Sequence, residues 1–395
     1  MVNNTLVGYN KKELPGKIQL IGIVLLLAGL ALGVIGFLTD YVRALHNYLV
    51  MFMFLISIGV GSLFLITLEY IAGADWSVPF RRIIEFLASV IPVLFILVVP
   101  LIINMHDLFH WTHLEAVEHD EILKGKAPYL NSTFFIIRAF VFIAIWFLFY
   151  LLITRNSIKQ DKNFDQGLTK RNIKLSAIFI PIFSISLTFS AIDWMMSLEP
   201  HWFSTIYGVY FFSGTVIAAL AAATLVTVLL MENGYLPSII SYDHLYSFGA
   251  LMFVFVNFWA YIAFSQYMLI WYADLPEETS WFVHRWTGGW EYLSIFLILV
   301  QFVVPYALLL SQPAKMDPRR LKIAAIWLLF AHFVDLYWLI IPSLSPKGYT
   351  FSWTDFVFPL MLTGLMILLF VFNFKRNNIL AVGDPKLERG LNFHL

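Results

Sequence analysis

Cysteine is absent from the 395 residues, and charge is scarce: Asp, Glu, Lys and Arg together make up 13% of the chain and cancel to a net charge of zero. Without thiols there is no disulfide framework, no thiolate nucleophile, no Cys-ligated iron–sulfur cluster and no Cys-x-x-Cys-His haem attachment. A zero net charge leaves no overall field to gather nucleic acid. What fills the chain is apolar: 60% of residues are hydrophobic, against roughly 45–50% in an ordinary soluble domain. The apolar residues come in unbroken runs of about 20 rather than in amphipathic stripes, the pattern of helices that cross a bilayer.

Ten such runs are predicted: Ile18 to Leu38, Tyr48 to Ala72, Ile83 to Ile103, Phe134 to Ile153, Ile173 to Ile192, Ile206 to Met231, Leu245 to Trp271, Glu291 to Leu310, Leu321 to Ile341 and Phe356 to Phe374. The polar leader Met1 to Lys17 has no small-residue cleavage signature after it, so the first run is read as a retained span and not a signal peptide. Pro92, Pro181 and Pro305 fall in or beside runs and predict kinked helices. An even number of crossings puts both termini on one side. Nineteen of the Lys and Arg residues fall on that side and six on the other: Arg43, Lys124, Lys126, Arg138, Arg285 and Lys347. By the positive-inside rule both termini are cytoplasmic.

The opposite loops have a different chemistry. Asn104 to Glu121 reads NMHDLFHWTHLEAVEHDE, the connection after the fifth run DWMMSLEPHWFST, and that after the seventh DLPEETSWFVHRWTGGW. Seven of ten histidines (His46, His106, His110, His113, His119, His201, His284) lie there, which makes the outer face the expected place for chemistry or docking. An internal echo relates FSAIDWMMSLEP to FAHFVDLYWLIIP: Asp193 and Asp335 each precede a proline, Pro200 and Pro342, by seven residues. Four runs separate the copies, which points to two related four-helix units, runs two to five and six to nine.

Ionisable groups within the runs are the candidates for function, because each costs roughly 2.5–3.5 kcal/mol or more in hydrocarbon and so faces a bundle interior or a watery cavity. His332 and Asp335 are three apart and share a helix face. Proton transfer and a purely packing hydrogen bond are the two readings of that pair. Ser186, Ser190, Asp193 and Ser197 form a polar stripe on the fifth run, and Asn257, Tyr261 and Ser265 another on the seventh, serving either as a proton path or as interhelical glue. Glu69 near the cytoplasmic end of the second run is either a point of proton uptake or a side chain that snorkels to the interface. Gly59 and Gly61 beside Ser57 and Ser62 predict a close helix contact. His106, His110 and His113 have the spacing of one helix face, with no second cluster to complete a metal site, and no metal is assigned.

The ten-span layout, the segment NMHDLFHWTHLEAVEHDEILKGKAPYLN and the stretch DWMMSLEPHWFSTIYGVYFF resemble the NrfD/PsrC-like integral membrane subunits of bacterial alternative complex III, the smaller of its two such subunits in particular. The resemblance implies two four-helix bundles with one flanking helix at each end: residues 1–47 as cytoplasmic N-terminus and first span, 48–205 as the first bundle with the outer His-rich segment 104–133, 206–355 as the second, and 356–395 as last span and cytoplasmic tail. It further implies a bacterial inner membrane location. It places the chain in a quinol:cytochrome c oxidoreductase complex with a paralogous membrane subunit and iron–sulfur and haem c subunits, passing electrons to cytochrome c or a terminal oxidase. The quinone would be menaquinone or ubiquinone, with no haem or cluster held by this chain. Under that reading Asp193, His332, Asp335, Glu69, Ser190 and Tyr261 are the proton-transfer candidates, and His106, Asp107, His110 and His201 the quinone-pocket candidates, while no residue is assigned as catalytic. A proton-coupled secondary transporter and a ligand-free scaffold subunit are the alternatives.

Overall fold

The computed structural model describes residues 13–345 and 348–395; Lys11, Lys12 and Lys347 of the charge count lie outside the described residues. Among the described residues ten helices are long and apolar enough to cross a bilayer, and no strand occurs. They are α1 (Gly16–Thr39), α2 (Tyr41–Ala72), α3 (Val78–Ile103), α4 (Ser132–Asn163), α5 (Gln166–Leu198), α6 (Tyr207–Glu232), α7 (Tyr242–Ala273), α8 (Trp290–Leu309), α9 (Pro318–Leu344) and α10 (Trp353–Arg376). The chain is an all-α integral membrane protein, the form in which backbone N–H and C=O groups are satisfied within each segment when no water is at hand.

Several helices outrun the apolar segments. α4 and α5 run on through the Lys- and Arg-rich stretch 155–174 and meet at a tight corner, where Phe164 adopts a left-handed φ of 53° and Asp165 caps the N-terminus of α5 through Gly167 N–H at 2.8 Å. Hydropathy marks where lipid ends; the hydrogen-bond ladder stops only where a cap terminates it. Asn131 caps α4 in the same way, and Asp317, followed by Pro318 at the first helical position, caps α9. The prolines act unequally. Around Pro92 α3 breaks into a 3-10 turn over Ile91–Val93, and α8 passes through a π-helical stretch, Leu299–Val303, just before Pro305. Pro181 sits within an uninterrupted helix, Gln166–Trp194.

Helices α2 and α6 form the axis of the molecule, packed against each other. α2 also holds α3 and α5, with α4 behind; α6 holds α7 and α9, with α8 behind; α2 touches α9 and α6 touches α5 across the boundary. The result is two four-helix bundles in a reciprocal arrangement. The expected contact at Gly59 and Gly61 is present: a Cβ on Gly61 would lie 2.7 Å from the Thr215 carbonyl of α6, and one on Gly59 2.6 Å from Val90, beside the break in α3.

One flanking helix stands at each end of the chain, α1 and α10. α1 and α10 pack against each other as a hairpin of distant sequence, and the pair lies on α2 and α3. Small residues bring the backbones together: a Cβ on Gly29 would come within 2.4 Å of Met361 N, and one on Gly364 within 2.4 Å of Leu26 N. This is the device membrane helices use when burial from water offers no drive to associate. Replacing Gly29 or Gly364 by leucine is therefore expected to lower stability by roughly 1–3 kcal/mol, the range for overpacking. Thermal unfolding in detergent measures it, with Gly16→Ala, where nothing lies within 4 Å, expected to be silent.

Candidate functional site

Charge is buried throughout this protein, and its pairing isolates one residue. Five arginines are buried: Arg43, Arg81, Arg82, Arg138 and Arg285. Arg43 of α2 grips Asp355 of α10 at 2.7 and 2.8 Å, with Asn47 and Tyr337 completing the carboxylate's shell. Arg81 joins Glu69 to Asp384 of the C-terminal tail, each at 2.6 Å. Arg82 joins Glu85 to Asp161. Arg138 holds both oxygens of Asp193 at 2.8 and 2.9 Å, and Tyr129 donates to the same carboxylate. Arg285 pairs with Glu199 at 2.9 Å.

Among the described residues the buried acids are Glu69, Glu85, Asp193, Asp335, Asp355 and Asp384, and only Asp335 lacks a guanidinium. Its carboxyl accepts two hydrogen bonds from neutral donors, Tyr210 Oη of α6 at 2.5 Å and Trp259 Nε1 of α7 at 3.2 Å. His332, one turn away on α9, places Nδ1 4.0 Å from Asp335 Oδ2 and packs its ring on Phe54. Neither ring nitrogen of His332 has a protein hydrogen-bond partner. Gly214 of α6 makes the room, since a Cβ there would fall 2.9 Å from the His332 ring and 3.4 Å from Asp335 Oδ2. A carboxyl group so placed has donors to orient it but no cation beside it to hold its charge.

The other proton-transfer candidates separate on inspection. Asp193 lies in the fork of Arg138, which fixes α4 to α5. Glu69 does not snorkel: it is 5% exposed and tied to Arg81. Ser190 is buried on the inner face of α5. Tyr261, by contrast, is 66% exposed on the outside of α7, so the stripe expected to join it to Asn257 and Ser265 is not an interior path.

Beside Asp335 a cavity of about 690 Å³ opens between α7, α8 and the short helix Pro276–Arg285. Its inner wall carries Tyr210 and Trp259, the two donors to Asp335; Phe282, Trp286 and Trp338 add aromatic surface, and Tyr261 and Phe264 stand exposed at its lateral mouth. Volume and lining match a site for a largely apolar organic ligand with a few polar anchors; Gln266 and Ser294 supply such anchors. His106, Asp107, His110 and His201 line neither this cavity nor a smaller one of about 350 Å³ bounded by Lys126, Tyr129, Ser197 and Phe203. They are exposed on the His-rich end. The single helix face expected for His106, His110 and His113 is broken into short turns, although the rings of His106 and His110 still lie 5.5 and 6.0 Å from that of His113. Among the described residues no group of three His, Asp or Glu side chains is placed to hold a metal ion.

At the His-rich end, outside the spans, Glu199 lies between Arg285 and His284 Nδ1, the latter at 3.3 Å. Burial pushes the Glu199 carboxyl up, but Arg285 and His284 outweigh it and hold it below its ordinary value. The hydrogen bond that His284 donates to Glu199 raises His284, and burial lowers Arg285 against the pull of Glu199. The hydrogen bond to His201 at 2.5 Å, together with the Leu123 and Ile122 amides, depresses Asp120.

No protein-family model matches this chain, and no curated protein matches it. Tyr210, Trp259, Glu199 and Arg285 were not singled out from the sequence. Their partners are far along the chain (Tyr210 and Asp335 are 125 residues apart), and one sequence carries no signal for such a pairing.

Two outcomes follow. Arg138→Ala strands a buried carboxylate and is expected to cost about 3–5 kcal/mol, whereas Asp335→Asn keeps an acceptor for Tyr210 and Trp259 and is expected to leave the melting temperature within a few degrees; thermal unfolding in detergent compares them. For His284, a pKa raised on folding means its link to Glu199 stabilises fully below the unfolded value of about 6.5 and fades as pH rises through the folded one. The melting-temperature gap between wild type and His284→Gln should be largest at acid pH and shrink above neutrality; a gap that widens with pH contradicts the assignment.

Proposed function

We propose that this chain is the membrane subunit of a quinol:electron-acceptor oxidoreductase of the quinol:cytochrome c type, binding quinol in the α7–α8 cavity and taking up its protons at Asp335. The observation that carries the reading is the cavity wall: an apolar, aromatic site open sideways to lipid, whose inner face presents the hydroxyl that hydrogen-bonds a buried acid without a counter-ion. A quinol carries its isoprenoid tail in the bilayer, so lateral access suits it, and its oxidation requires an acceptor for each hydroxyl proton. Tyr210 can accept a proton from a ligand hydroxyl on one side while donating its own to Asp335 on the other. His332, with both nitrogens free of protein partners, stands behind as a second protonatable group.

Quinol releases two electrons with its two protons, and a chain without cysteine has no iron–sulfur centre to receive them. The reading therefore carries partners: iron–sulfur and haem c subunits at the His-rich end, a paralogous membrane subunit, and cytochrome c or a terminal oxidase downstream. It places the protein in a bacterial inner membrane, with the His-rich end periplasmic and both termini cytoplasmic, in line with the positive-inside count. Menaquinone and ubiquinone both fit an aromatic cavity of this size. The pocket moves from the exposed histidines to α7 and α8, and Asp193 drops out of the proton route because Arg138 holds it.

A secondary transporter would bracket one midplane site with its broken helices. The two breaks lie in separate bundles: that of α3 packs near Gly59 of α2, and that of α8 receives Trp327 Nε1 of α9 on the Val300 carbonyl. This arrangement favours the quinol reading.

Purification from native membranes tests it. Copurifying haem c and quinol-dependent cytochrome c reduction are expected, with turnover reduced about tenfold or more when Ala263→Trp fills the cavity in an otherwise intact complex. A lone protein without haem partners, or full turnover in Ala263→Trp, sinks the proposal.

A further inference from the structure

We infer that protons leave the Asp335 site for the aqueous phase at the His-rich end through the hydroxyl of Tyr207 and the Glu199–His284 pair. The inference rests on the proton-uptake role of Asp335 proposed above and adds the route by which the site empties.

The residues stand in order. Tyr210, bound to Asp335, and Tyr207 are three apart on α6, hence on one face and one turn closer to the His-rich end. Tyr207 is 1% exposed, yet its hydroxyl has no protein partner. A buried hydroxyl without a partner is the usual seat of ordered water, because leaving it dry costs a hydrogen bond. Tyr207 stands between the two sites: Tyr210, one turn inside it, holds Asp335, while Glu199 lies in the loop leading into α6 with its carbonyl bonded to the Trp202 amide at 3.0 Å, so water on the Tyr207 hydroxyl would bridge them. The ring is held by Trp202, 5.7 Å away, which itself stacks on Trp281 at 4.5 Å.

Beyond Tyr207 the path reaches Glu199, 18% exposed, and then His284, 43% exposed, whose ring opens to water. Every charged group facing this stretch is accounted for. Arg285 pairs with Glu199, its guanidinium also lying over Trp281 and donating to the carbonyls of Trp338 and Leu339. Asp335 has Tyr210 from α6, Trp259 from α7 and His332 from its own helix. Glu199 lies between Arg285 and His284, and the His284 imidazole is open to water, so the pair can receive a proton from inside and hand it to the bulk. Each transfer is balanced: Tyr207 accepts a hydrogen-bonded proton on one side as it gives up its own on the other, so no tyrosinate forms; the carboxylate left at Asp335 is neutralised by the next quinol proton, and the proton gained by Glu199–His284 passes to bulk water. Arg285 is a positioning residue here, anchoring Glu199 against Trp338.

Hydrogen–deuterium exchange of the Asp335 carboxyl, followed by its infrared C=O band in the intact complex and assigned by loss of the band in Asp335→Asn, tests the route without any turnover. Exchange at least tenfold slower in Tyr207→Phe, and slower in His284→Gln above neutral pH than below it, is expected, while the lipid-facing Tyr292→Phe exchanges as wild type. A pH-indicating dye after a single quinol turnover should show the same delay in proton appearance. Exchange in Tyr207→Phe at the wild-type rate overturns the route. Absence of quinol-dependent reduction in wild type would sink the quinol reading alone, because the exchange comparison stands without it.

Discussion

Charge held in hydrocarbon must be answered at once, and the architecture follows from how that demand is met. Taking an ion out of water costs several kcal/mol even after relaxation, and a partner repays it only with close geometry and saturated hydrogen bonds. Buried arginines meet the terms for five of the six buried acids, and the ion pairs of the five arginines join elements remote in sequence: α2 to α10, α3 to the C-terminal tail, α3 to α4, α4 to α5, and the helix Pro276–Arg285 to the loop after α5. These clasps choose one arrangement among the many in which greasy helices could pack, since apolar surface hardly discriminates between neighbours in lipid. With the clasps in place, the sixth acid, Asp335, can stand without a counter-ion, because the helices that surround it are fixed by other means.

The two bundles show how one scaffold yields unequal sites. Asp193 of α5 and Asp335 of α9 occupy matching places in the echo, and both are buried. In the first bundle a guanidinium fork neutralises the carboxylate, and Tyr129 and the Arg138 contact to the Tyr129 carbonyl tie the outer segment down over it. In the second a tyrosine and an indole take the place of the cation, and a cavity opens on their far side. Neutral donors thus stand where the first bundle has a charged one, and a cavity lies beside them.

Much of this was legible in composition and spacing. Ten apolar runs gave ten helices because length and hydropathy alone decide whether a segment can span, and His332 and Asp335 stood out because ionisable groups in such runs are expensive. Helix ends were less legible, since α4 and α5 continue past the lipid boundary until Phe164 and Asp165 stop them. The pairing of α1 with α10 escaped notice although Gly29 and Gly33 have the spacing of a small-residue contact, because nothing in one sequence says that the partner lies more than 300 residues away. The same limit hid Arg43, Arg138 and Arg285: counted as loop charges, they are buried halves of ion pairs.

The histidines illustrate the difference between abundance and position. His106, His110 and His201 cluster at one end, exposed, with His201 bound to Asp120. His332 lies in the apolar interior, and its two unpartnered nitrogens sit beside an acid with no cation. A group in water needs no partner and exerts little leverage; the same group inside the bundle must find a proton, a water or a neighbour. The proposed chemistry therefore lies where titratable residues are fewest, along the face of α6 that carries Tyr207, Tyr210 and Gly214 and meets α9 at Asp335.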